Sequence, residues 1–501
     1  MLTHLSAHAR HRAIGRSLSA GVRMVLGLLG SWQVGWAADH FVATSAEISQ
    51  AVARARPGDT ITLRDGPWTD AEILFEANGT AEQPIVLRAQ SAGKVVISGK
   101  SRLQISGSHL VVDGLFFHRA YHQSDLIAFR RDARRVARHC RLTNCAVVDC
   151  NAPDGSTETR WISLYGEHNR VDHCWVAGKT TRGATLVVWL SETPNENRID
   201  HNYFGPRARL GKNGGETIRV GDSRTSMTNS RTVVENNCFE ECNGEAEIVS
   251  NKSCENVYRA NTFLRCAGAL TLRHGDRCIV EGNYFLGQKA PGTGGVRVIG
   301  EGHRVFNNYF AELRGTDQRA ALSLMNGLPN SPANGYFPVK NAVIAFNTFV
   351  NCRQALLIGL TDADADNRVP PSNCTLANNL LAGNATAVEL RVAPANFRWE
   401  GNLVSGSAPG VSDIAGIRLR DVVLEQDADG LWRPQRSGPV IGAAQGDFPF
   451  ITEDIEGHPR GLRKDVGCDQ VSTGSPLRRT LRRDDAGPAW KPPGAAEPAR
   501  R

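Results

Sequence analysis

The segment CIVEGNYF at residues 278–285 returns 25 residues later as HRVFNNYF at residues 303–310. In both segments, a short stretch of alternating character precedes an asparagine, and two aromatic residues follow it. A looser form, an asparagine followed two residues later by an aromatic or apolar side chain, recurs at HNYF (201), NNCF (236), ANTF (260), FNTF (346), NNLL (378) and GNLV (401), with weaker echoes at TNCA (143) and DHCW (172). Such a repeat predicts a solenoid, whose units stack because none can bury its apolar face alone.

The repeated asparagines have a basic interval of 22 to 25 residues, with insertions that extend it to 39. They are Asn202, Asn237, Asn261, Asn283, Asn308, Asn347, Asn379 and Asn402. Between them lie short alternating segments rich in Val and Ile, with almost no helical periodicity. Three short strands per coil, with an asparagine at one corner, predict an all-β fold: a right-handed parallel β-helix. The stacked amides of such a corner hydrogen-bond along a column.

A helix is predicted near the start of the chain. In TSAEISQAVARARPGDTITLRDG, residues 44–66, Thr44 and Glu47 form a capping box and are followed by an amphipathic segment, the turn Pro57-Gly58 and a strand. We expect this helix to cap the open edge of the first coil, which would otherwise invite aggregation.

The net charge of +7 is concentrated at the two ends of the chain. Residues 1–38 hold four arginines and no acid, followed by the apolar run MVLGLLGSWQVGWAA, which predicts a secretory signal peptide and a periplasmic or secreted protein. Residues 473–501 are rich in Pro, Ala and Arg and predict a disordered basic tail. The β-helix domain is therefore predicted at 39–472, and its near-neutral charge does not indicate a polyanionic partner.

Twelve cysteines in an exported chain leave two interpretations open, disulfides or buried free thiols. No C-x-x-C pair indicates zinc or a redox motif. Four of them, Cys242, Cys254, Cys266 and Cys278, are spaced twelve residues apart, which again indicates a repeat.

The segment GEAEIVSNKS at residues 244–253 holds the candidate site. In a strand, Glu245 and Glu247 share the outer face, and two adjacent carboxylates repel unless a cation lies between them. A lone E-x-E is more often a solvated acidic edge. One coil earlier, however, KNGGETIRVGDS supplies Asn213 and Glu216, and Ca²⁺ binds such oxygen ligands. One coil later, LTLRHGD places Arg273 21 residues after Lys252, with His274 beside it.

These segments, together with GVRVIGEGHRVFNNYF and ALSLMNG…NGYFPVKNAVIAFNTFVNC, resemble polysaccharide lyase family 6, which contains alginate lyases and chondroitinase B. The motifs occur in order along most of the chain. The resemblance implies that Lys252 is the general base and Arg273 the general acid. It further implies two sets of ligands: Asn213, Glu245 and Glu247, with Glu216 beside them, for Ca²⁺, and Arg219, His274, Arg297 and Glu216 for the substrate cleft.

The chemistry of these residue types fits that reaction. Eliminating a 4-linked uronic acid requires removal of the C5 proton next to a carboxylate, and Ca²⁺ on that carboxylate would neutralise its charge. A lysine can act as base only if its pKa falls toward the working pH, which neighbouring positive charges promote. Because arginine holds its proton tightly, Arg273 could instead stabilise the departing oxygen while water delivers the proton.

Two further motifs contain residue types that occur in calcium sites and substrate clefts. TDADADN, residues 361–367, resembles the start of a calcium loop but lacks the glycine and glutamate that an EF-hand requires, so we interpret it as an acidic loop between coils. His303, at the end of GEGH, either reaches the cleft or turns the chain.

The sequence therefore predicts a calcium-dependent lyase whose partner is an acidic polysaccharide, alginate, and not nucleic acid or a membrane. The uninterrupted segments NGGETIRVGDS and NGLPNSPANGYF resemble the alginate-acting members more closely than the branch that acts on dermatan sulfate. Less favoured alternatives are a β-helix hydrolase, which needs paired carboxylic acids, and a glycan-binding solenoid, which would show more aromatic platforms than a chain with 7% aromatic residues.

Overall fold

Each coil consists of three short strands, and each strand pairs in parallel with the equivalent strand of the neighbouring coils. The computed structural model describes residues 37–155, 157–361, 366–412, 414–472 and 474–493. Within them, three 14-stranded sheets follow the stack of coils, named here A, B and C in the order in which a coil passes through them. The predicted right-handed parallel β-helix is confirmed.

The strand bounds follow the repeat. Sheet A contains Asp39–Val42, Thr60–Leu63, Ile85–Ala89, Leu110–Asp113, Arg141–Thr143, Arg170–Asp172, Arg198–Asp200, Val233–Glu235, Val257–Arg259, Ile279–Glu281, Arg304–Phe306, Val343–Ala345, Thr375–Ala377 and Arg398–Glu400. Sheet B contains Gly66–Thr69, Val95–Lys100, Phe116–Tyr121, Ala146–Val148, Trp175–Ala177, Tyr203–Phe204, Cys238–Glu240, Thr262–Leu264, Tyr284–Leu286, Tyr309–Ala311, Thr348–Val350, Leu380–Ala382, Asn402–Ser405 and Ile417–Leu419. Sheet C contains Glu72–Asn78, Arg102–Ser108, Asp125–Ala128, Ala137–Arg138, Arg160–Leu164, Gly166–Glu167, Leu186–Val188, Ile218–Gly221, Glu247–Lys252, Ala269–His274, Val296–Val298, Leu322–Met325, Leu356–Leu360 and Val388–Leu390.

The repeated asparagines form one buried column, the asparagine column, at the turn between sheets A and B. The backbone N–H and side-chain amide of Asn261 donate to Asn283 Oδ1 at 3.0 and 2.9 Å, and Asn283 donates to Asn308 in the same way. The pattern runs from Asn202 to Asn402. The column therefore satisfies polar backbone at a corner that no strand covers.

Cysteines, not the asparagine or histidine of the weaker echoes, continue the asparagine column toward the N-terminus. The backbone N–H of Cys174 donates to Asn202 Oδ1 at 2.9 Å, and Cys145 Sγ accepts from the backbone N–H of Leu115 at 3.3 Å. The alignment of TNCA and DHCW on their second residues is thus wrong by one position.

A stack of phenylalanines fills the core behind sheet B. Successive rings lie parallel, with centroids 4.6 to 5.0 Å apart, which is the spacing of neighbouring strands. The stack consists of Phe204, Phe239, Phe263, Phe285, Phe310 and Phe349. One aromatic residue at the same place in each repeat therefore produces a continuous apolar core.

The α-helix Ser45–Arg54 packs on the strand Glu72–Asn78 and covers the first coil, as predicted. Thr44 Oγ1 accepts from the backbone N–H of Glu47 at 3.2 Å, but the Glu47 carboxylate accepts from the N–H of Ala43, one residue before the predicted partner. Three single turns of 3₁₀ helix lie at Ser223–Thr225, Asp317–Arg319 and Arg483–Asp485.

The coils end at Ile417–Leu419, earlier than the predicted boundary at 472. The following segment forms an antiparallel hairpin of Leu424–Gln426 and Trp432–Pro434 and then packs along the outside of sheets A and B. No asparagine of the repeat follows Asn402 in the sequence. The end of the repeat was therefore visible, but the prediction extended the coils beyond it.

Residues 474–493 pack against the outer face of sheet B, which differs from the disordered tail that the composition predicts. Arg483 forms an ion pair with Glu240 at 2.9 Å, and the indole N–H of Trp490 donates to the carbonyl of Asn144 at 2.9 Å. These few anchors supply contacts that the Pro, Ala and Arg composition of the segment does not indicate.

All twelve cysteines are free and buried, which decides between the two interpretations left open. A spacing of twelve residues is half a coil, so Cys242 and Cys266 meet at one corner and Cys254 and Cys278 at another. Burial raises the pKa of the Cys278 thiol to about 12.

The predicted signal peptide lies almost entirely outside the described residues. Within them, the structure contains no helix with the length and apolar character needed to cross a bilayer.

Candidate functional site

Two β-bulges interrupt sheet C where Glu247–Lys252 pairs with Ala269–His274. The register shifts at Ile248 in the first strand and at Arg273 in the second, so each strand carries one extra residue. Bulges bend a strand and redirect side chains, and they are common beside active sites. The predicted base and acid therefore lie on two irregular strands in adjacent coils.

Three carboxylates gather at the start of these strands, as the sequence predicts. Glu245 Oε2 accepts from the backbone N–H of Gly214 at 3.0 Å, which joins it to the loop of the preceding coil. Glu247 accepts from the Ser250 hydroxyl at 2.5 Å and lies 3.6 Å from a guanidinium nitrogen of Arg297. Glu216 completes the group from the preceding coil.

The electrostatics of this cluster favour a cation. Burial and the neighbouring carboxylates of Glu216 and Glu247 raise the pKa of Glu245 to about 8. Glu216 is 3% exposed, and its buried Oε2 atom has no hydrogen-bond partner among the residues that the structure describes. An orphaned buried oxygen and a crowded carboxylate are both satisfied by a hard divalent cation.

Asn213, the third predicted Ca²⁺ ligand besides Glu245 and Glu247, is exposed in the loop that precedes Glu216, and its side-chain oxygen accepts from the N–H of Gly214 at 3.0 Å. Over the described ranges, no group of three His, Cys, Asp or Glu side chains is already arranged to hold a metal ion. The carboxylate and amide oxygens of these side chains are the donor types that Ca²⁺ takes. To bind the ion, the side chains would have to move closer together.

Lys252 pairs across the strands with His274, on the side of the bulge away from the acids. In the described part of the chain, its ammonium group has no ion pair with a carboxylate. Burial, together with the positive charges of Arg273 and Lys252, lowers the pKa of His274 to about 3. His274 is therefore a neutral imidazole, which contacts the Ser223 hydroxyl at 3.3 Å.

The loop that follows the strand Leu322–Met325 of sheet C covers the Arg273 side chain. The guanidinium donates to the carbonyl oxygen of Gly335 at 2.6 Å and lies 4.2 Å from the centre of the Tyr336 ring. It also donates to His274 Nδ1 at 3.3 Å. These contacts aim the guanidinium toward the cleft and keep it half-buried.

Arg219 and Arg297 occupy the same outward position of sheet C in different coils, separated by Ser250 and Thr271. Arg219 lies 5.0 Å from the ring centre of Trp189. Arg297 is only 3% exposed, and besides its contact with Glu247 it donates to the Tyr336 hydroxyl at 3.2 Å.

A cavity of about 420 Å³ connects these groups. Five of the predicted residues line it: Asn213, Glu245, Glu247, Arg273 and Arg297. The other four, Glu216, Arg219, Lys252 and His274, lie on or next to the same strands of sheet C. The structure therefore brings both predicted groups to one side of the β-helix.

The sequence prediction omitted five residues that also line the cavity: Arg209, Lys212, Gln318, Arg319 and Tyr336. Tyr336 lies in the quoted segment NGYF, and its ring contact with Arg273 is the signal that a sequence cannot show. Arg209 and Lys212 precede the predicted calcium ligands and could have been included as nearby cations.

The other candidate motifs do not join the site. His303 is fully buried, accepts from the backbone N–H of Cys278 at 3.1 Å and contacts the carbonyl of Ile299 at 2.9 Å, so it turns the chain. Residues 362–365 of the acidic TDADADN motif lie outside the described residues.

Comparison with known proteins agrees with this geometry. The profile of the chondroitinase B family matches residues 42–442. Among curated protein sequences, none matches significantly.

Solved structures give closer matches. The alginate lyase AlyGC of polysaccharide lyase family 6 is 37% identical with a TM-score of 0.79; the match covers 92% of this chain but 59% of AlyGC. A mannuronic acid specific family 6 lyase from human gut microbiota is 34% identical with a TM-score of 0.69, covering 77% of this chain and 91% of that one. A family 6 lyase from Pseudopedobacter saltans, 24% identical with a TM-score of 0.66, covers 90% of this chain and 99% of that one and shares the fold.

Proposed function

Because this chain belongs to the chondroitinase B family, also called polysaccharide lyase family 6, we propose that it cleaves a polymer of 4-linked uronic acids by β-elimination. The observation that carries the proposal is that a cluster of carboxylates and a pair of basic side chains lie in one cleft. The carboxylates Glu245 and Glu247, beside the buried oxygen of Glu216, share a cavity with Arg273, and Lys252 lies at the far end of the bulged strand that begins at Glu247.

Ca²⁺ would be held by Asn213, Glu245 and Glu247, with Glu216 as a further oxygen donor. When bound, the ion supplies positive charge that neutralises the substrate carboxylate next to C5 and so eases loss of the C5 proton. The raised pKa of Glu245 supports this role, because a bound cation would relieve the repulsion that causes it.

Lys252 takes the C5 proton in this proposal. Among the described residues its ammonium group has no ion pair with a carboxylate, and its cross-strand neighbour His274 is a neutral imidazole. Arg273 lies beside the departing O4 oxygen, where its positive charge stabilises the developing negative charge. The final proton reaches that oxygen from Arg273 or from water.

Arg219 and Arg297 bind substrate carboxylates along the groove. The planar guanidinium group suits bidentate recognition of a carboxylate. They lie in one outward row of sheet C, three coils apart and therefore, at a strand spacing of roughly 4.8 Å, about 14 Å apart, which places them where carboxylates of different sugars along one chain would lie.

The proposed substrate is alginate. Both relatives above 30% identity are named for it or for its mannuronic acid component, AlyGC as an alginate lyase and the gut enzyme as mannuronic acid specific. The name of the matching family profile makes dermatan sulfate the second candidate. The basic and apolar residues 1–38 support export to the periplasm or the medium.

Product analysis tests the proposal. Purified protein is incubated with alginate, polymannuronate, polyguluronate and dermatan sulfate, and absorbance of the unsaturated uronate end is followed in the ultraviolet. We expect absorbing products from at least one alginate polymer. Saturated ends would indicate a hydrolase, no new ends a binding protein, and products from dermatan sulfate alone would transfer the assignment to that substrate.

A further inference from the structure

A buried arginine, Arg207, lies behind the loop that carries Asn213 and Glu216. It is 3% exposed, and in the described ranges its guanidinium forms no ion pair with a carboxylate. An arginine buried without such a pair is costly unless its five N–H donors are otherwise satisfied. The positions of its acceptors therefore indicate what it does.

Every side-chain hydrogen bond of Arg207 is made to one of two adjacent loops. Nη1 donates to the hydroxyl of Thr185 at 3.0 Å and to the carbonyl of Glu216. Nη2 donates to the carbonyls of Thr181, Gly183 and Gly214 at 3.2, 2.9 and 3.2 Å. One guanidinium thus joins the loop of the cation ligands to the loop of the coil below it.

The ligand loop, residues 208–217, is otherwise held to its neighbouring coils by a few backbone hydrogen bonds, such as those from the Gly183 N–H to the Gly214 carbonyl at 2.8 Å and from the Thr185 N–H to the Glu216 carbonyl at 3.0 Å. Residues 208–217 contain no strand, and the next strand begins at Ile218. The loop packs backbone against backbone on the following coil, where a Cβ atom on Gly215 would lie 2.5 Å from the carbonyl group of Gly244. A Cβ atom on Gly244 would in turn lie 2.9 Å from Arg207 Nε. The Arg207 side chain therefore fills the space beside Gly244, which in turn packs against Gly215.

We propose that Arg207 is a positioning residue that fixes Asn213, Glu216 and Glu245 in the geometry that binds the divalent cation. The Gly214 carbonyl accepts from Arg207, and the Gly214 N–H donates to Glu245, so a single peptide region links the guanidinium to two ligand-bearing coils. The positive charge of Arg207 also acts on Glu216 and Glu245 and so limits the repulsion between their carboxylates. This inference rests on the proposed calcium-dependent function.

The test measures Ca²⁺ binding to the full chain by titration calorimetry, with no substrate present. Arg207→Lys keeps the charge but cannot reach all five acceptors. We expect its affinity for Ca²⁺ to fall by about tenfold or more, as losses of supporting contacts around metal ligands usually do. The Ca²⁺-induced rise in melting temperature should shrink accordingly.

Arg460→Lys is the matched control. Arg460 is also buried, at 6% exposure, and donates to the carbonyls of Asp465 and Gly467, but it lies in the C-terminal segment. We expect this variant to lose melting temperature while keeping the affinity of the original protein. If Arg207→Lys does not fold, Thr185→Val removes one acceptor and should weaken Ca²⁺ binding by about twofold to fivefold.

Ca²⁺ affinity in Arg207→Lys within about twofold of the original, or an equal loss in Arg460→Lys, would overturn the positioning role. After a folding failure, unchanged affinity in Thr185→Val would overturn it in the same way. An original protein that binds no Ca²⁺ would overturn the calcium proposal itself, so the two failures are distinguishable.

Discussion

The asparagine column and the cleft are built on the same coils but treat polar groups in opposite ways. In the column, each amide between Asn202 and Asn402 has partners above and below it. In the cleft, Glu216 keeps an orphaned oxygen, Glu245 has a raised pKa, and the strands bulge. Regular repetition stabilises the solenoid, whereas its local interruption leaves charge available for binding.

The two bulges explain how this difference arises at the cleft. A shift at Ile248 and a second at Arg273 leave the pairing of the strand centres intact. The coils therefore remain stacked, and the irregularity affects only the side chains at the strand ends. Substitutions in the cleft should change chemistry more than stability, and substitutions in the column should do the reverse.

The largest effect is expected for Lys252→Ala. Loss of a general base costs about 10²- to 10⁴-fold in rate, whereas a half-buried side chain at a strand end contributes little to coil packing. The rate of unsaturated product formation and the melting temperature measure the two effects. Lys289→Ala, at an exposed lysine that contacts Glu312, is the control and should keep full activity. An unchanged rate in folded Lys252→Ala would assign the base elsewhere.

The acidic side of the cleft is tested by Glu245→Gln combined with Glu247→Gln. We expect turnover to fall by at least about tenfold and the response to added Ca²⁺ to disappear, because the cation loses two charged ligands. Chelation of the original protein should reproduce the loss, and added Ca²⁺ should reverse it. Glu241→Gln, at an exposed acid paired with Arg265, is the control. Full activity after exhaustive chelation would remove calcium from the mechanism.

Asn283→Ala tests the asparagine column. The substitution removes an acceptor for two donors of Asn261 and an amide that donates to Asn308 and to the carbonyl of Tyr258. We expect the free energy of unfolding to fall by about 1–3 kcal/mol, measured in urea, with unchanged turnover per folded molecule. The exposed Asn78→Ala should change little. A large loss of turnover without loss of stability would contradict the division between the two regions.

The last prediction concerns stability alone, through its dependence on pH without Ca²⁺. The folded pKa of Glu245 is raised to about 8 from an ordinary value of 4.5, so between these values the folded state holds a proton that the unfolded state has lost. Stability should therefore fall as pH rises through this window. Melting temperatures in chelator should show this slope, and Glu245→Gln should flatten it. A slope of the opposite sign would contradict the raised pKa.

Much of the fold could be predicted because its determinants are local and repeated. The asparagine after each short strand fixed the coil length, and the capping residue Thr44 marked the helix. The cysteines at the N-terminal end of the asparagine column and the packing of residues 474–493 could not be predicted. Each depends on tertiary contacts of residues such as Cys174 and Trp490 that leave no periodic signal.

The site could be predicted in residue types but not in geometry. Glu245, Glu247 and Lys252 stand together in the sequence, so their proximity was visible. The extra residue at Arg273 depends on the pairing of two strands, and the loop that places Tyr336 against it lies more than 60 residues further along the chain. Contacts at that separation are decided by the stacking of the coils.

The central claim is that this cleft breaks the glycosidic bond by elimination, and the chemical nature of the new chain ends tests it most directly. Alginate digested in the presence of Ca²⁺ is examined by proton NMR. The account predicts the vinyl H4 signal of a sugar that is unsaturated between C4 and C5, present with the original protein and absent with Lys252→Ala. New chain ends without that vinyl signal, or an equal signal from Lys252→Ala, would contradict it.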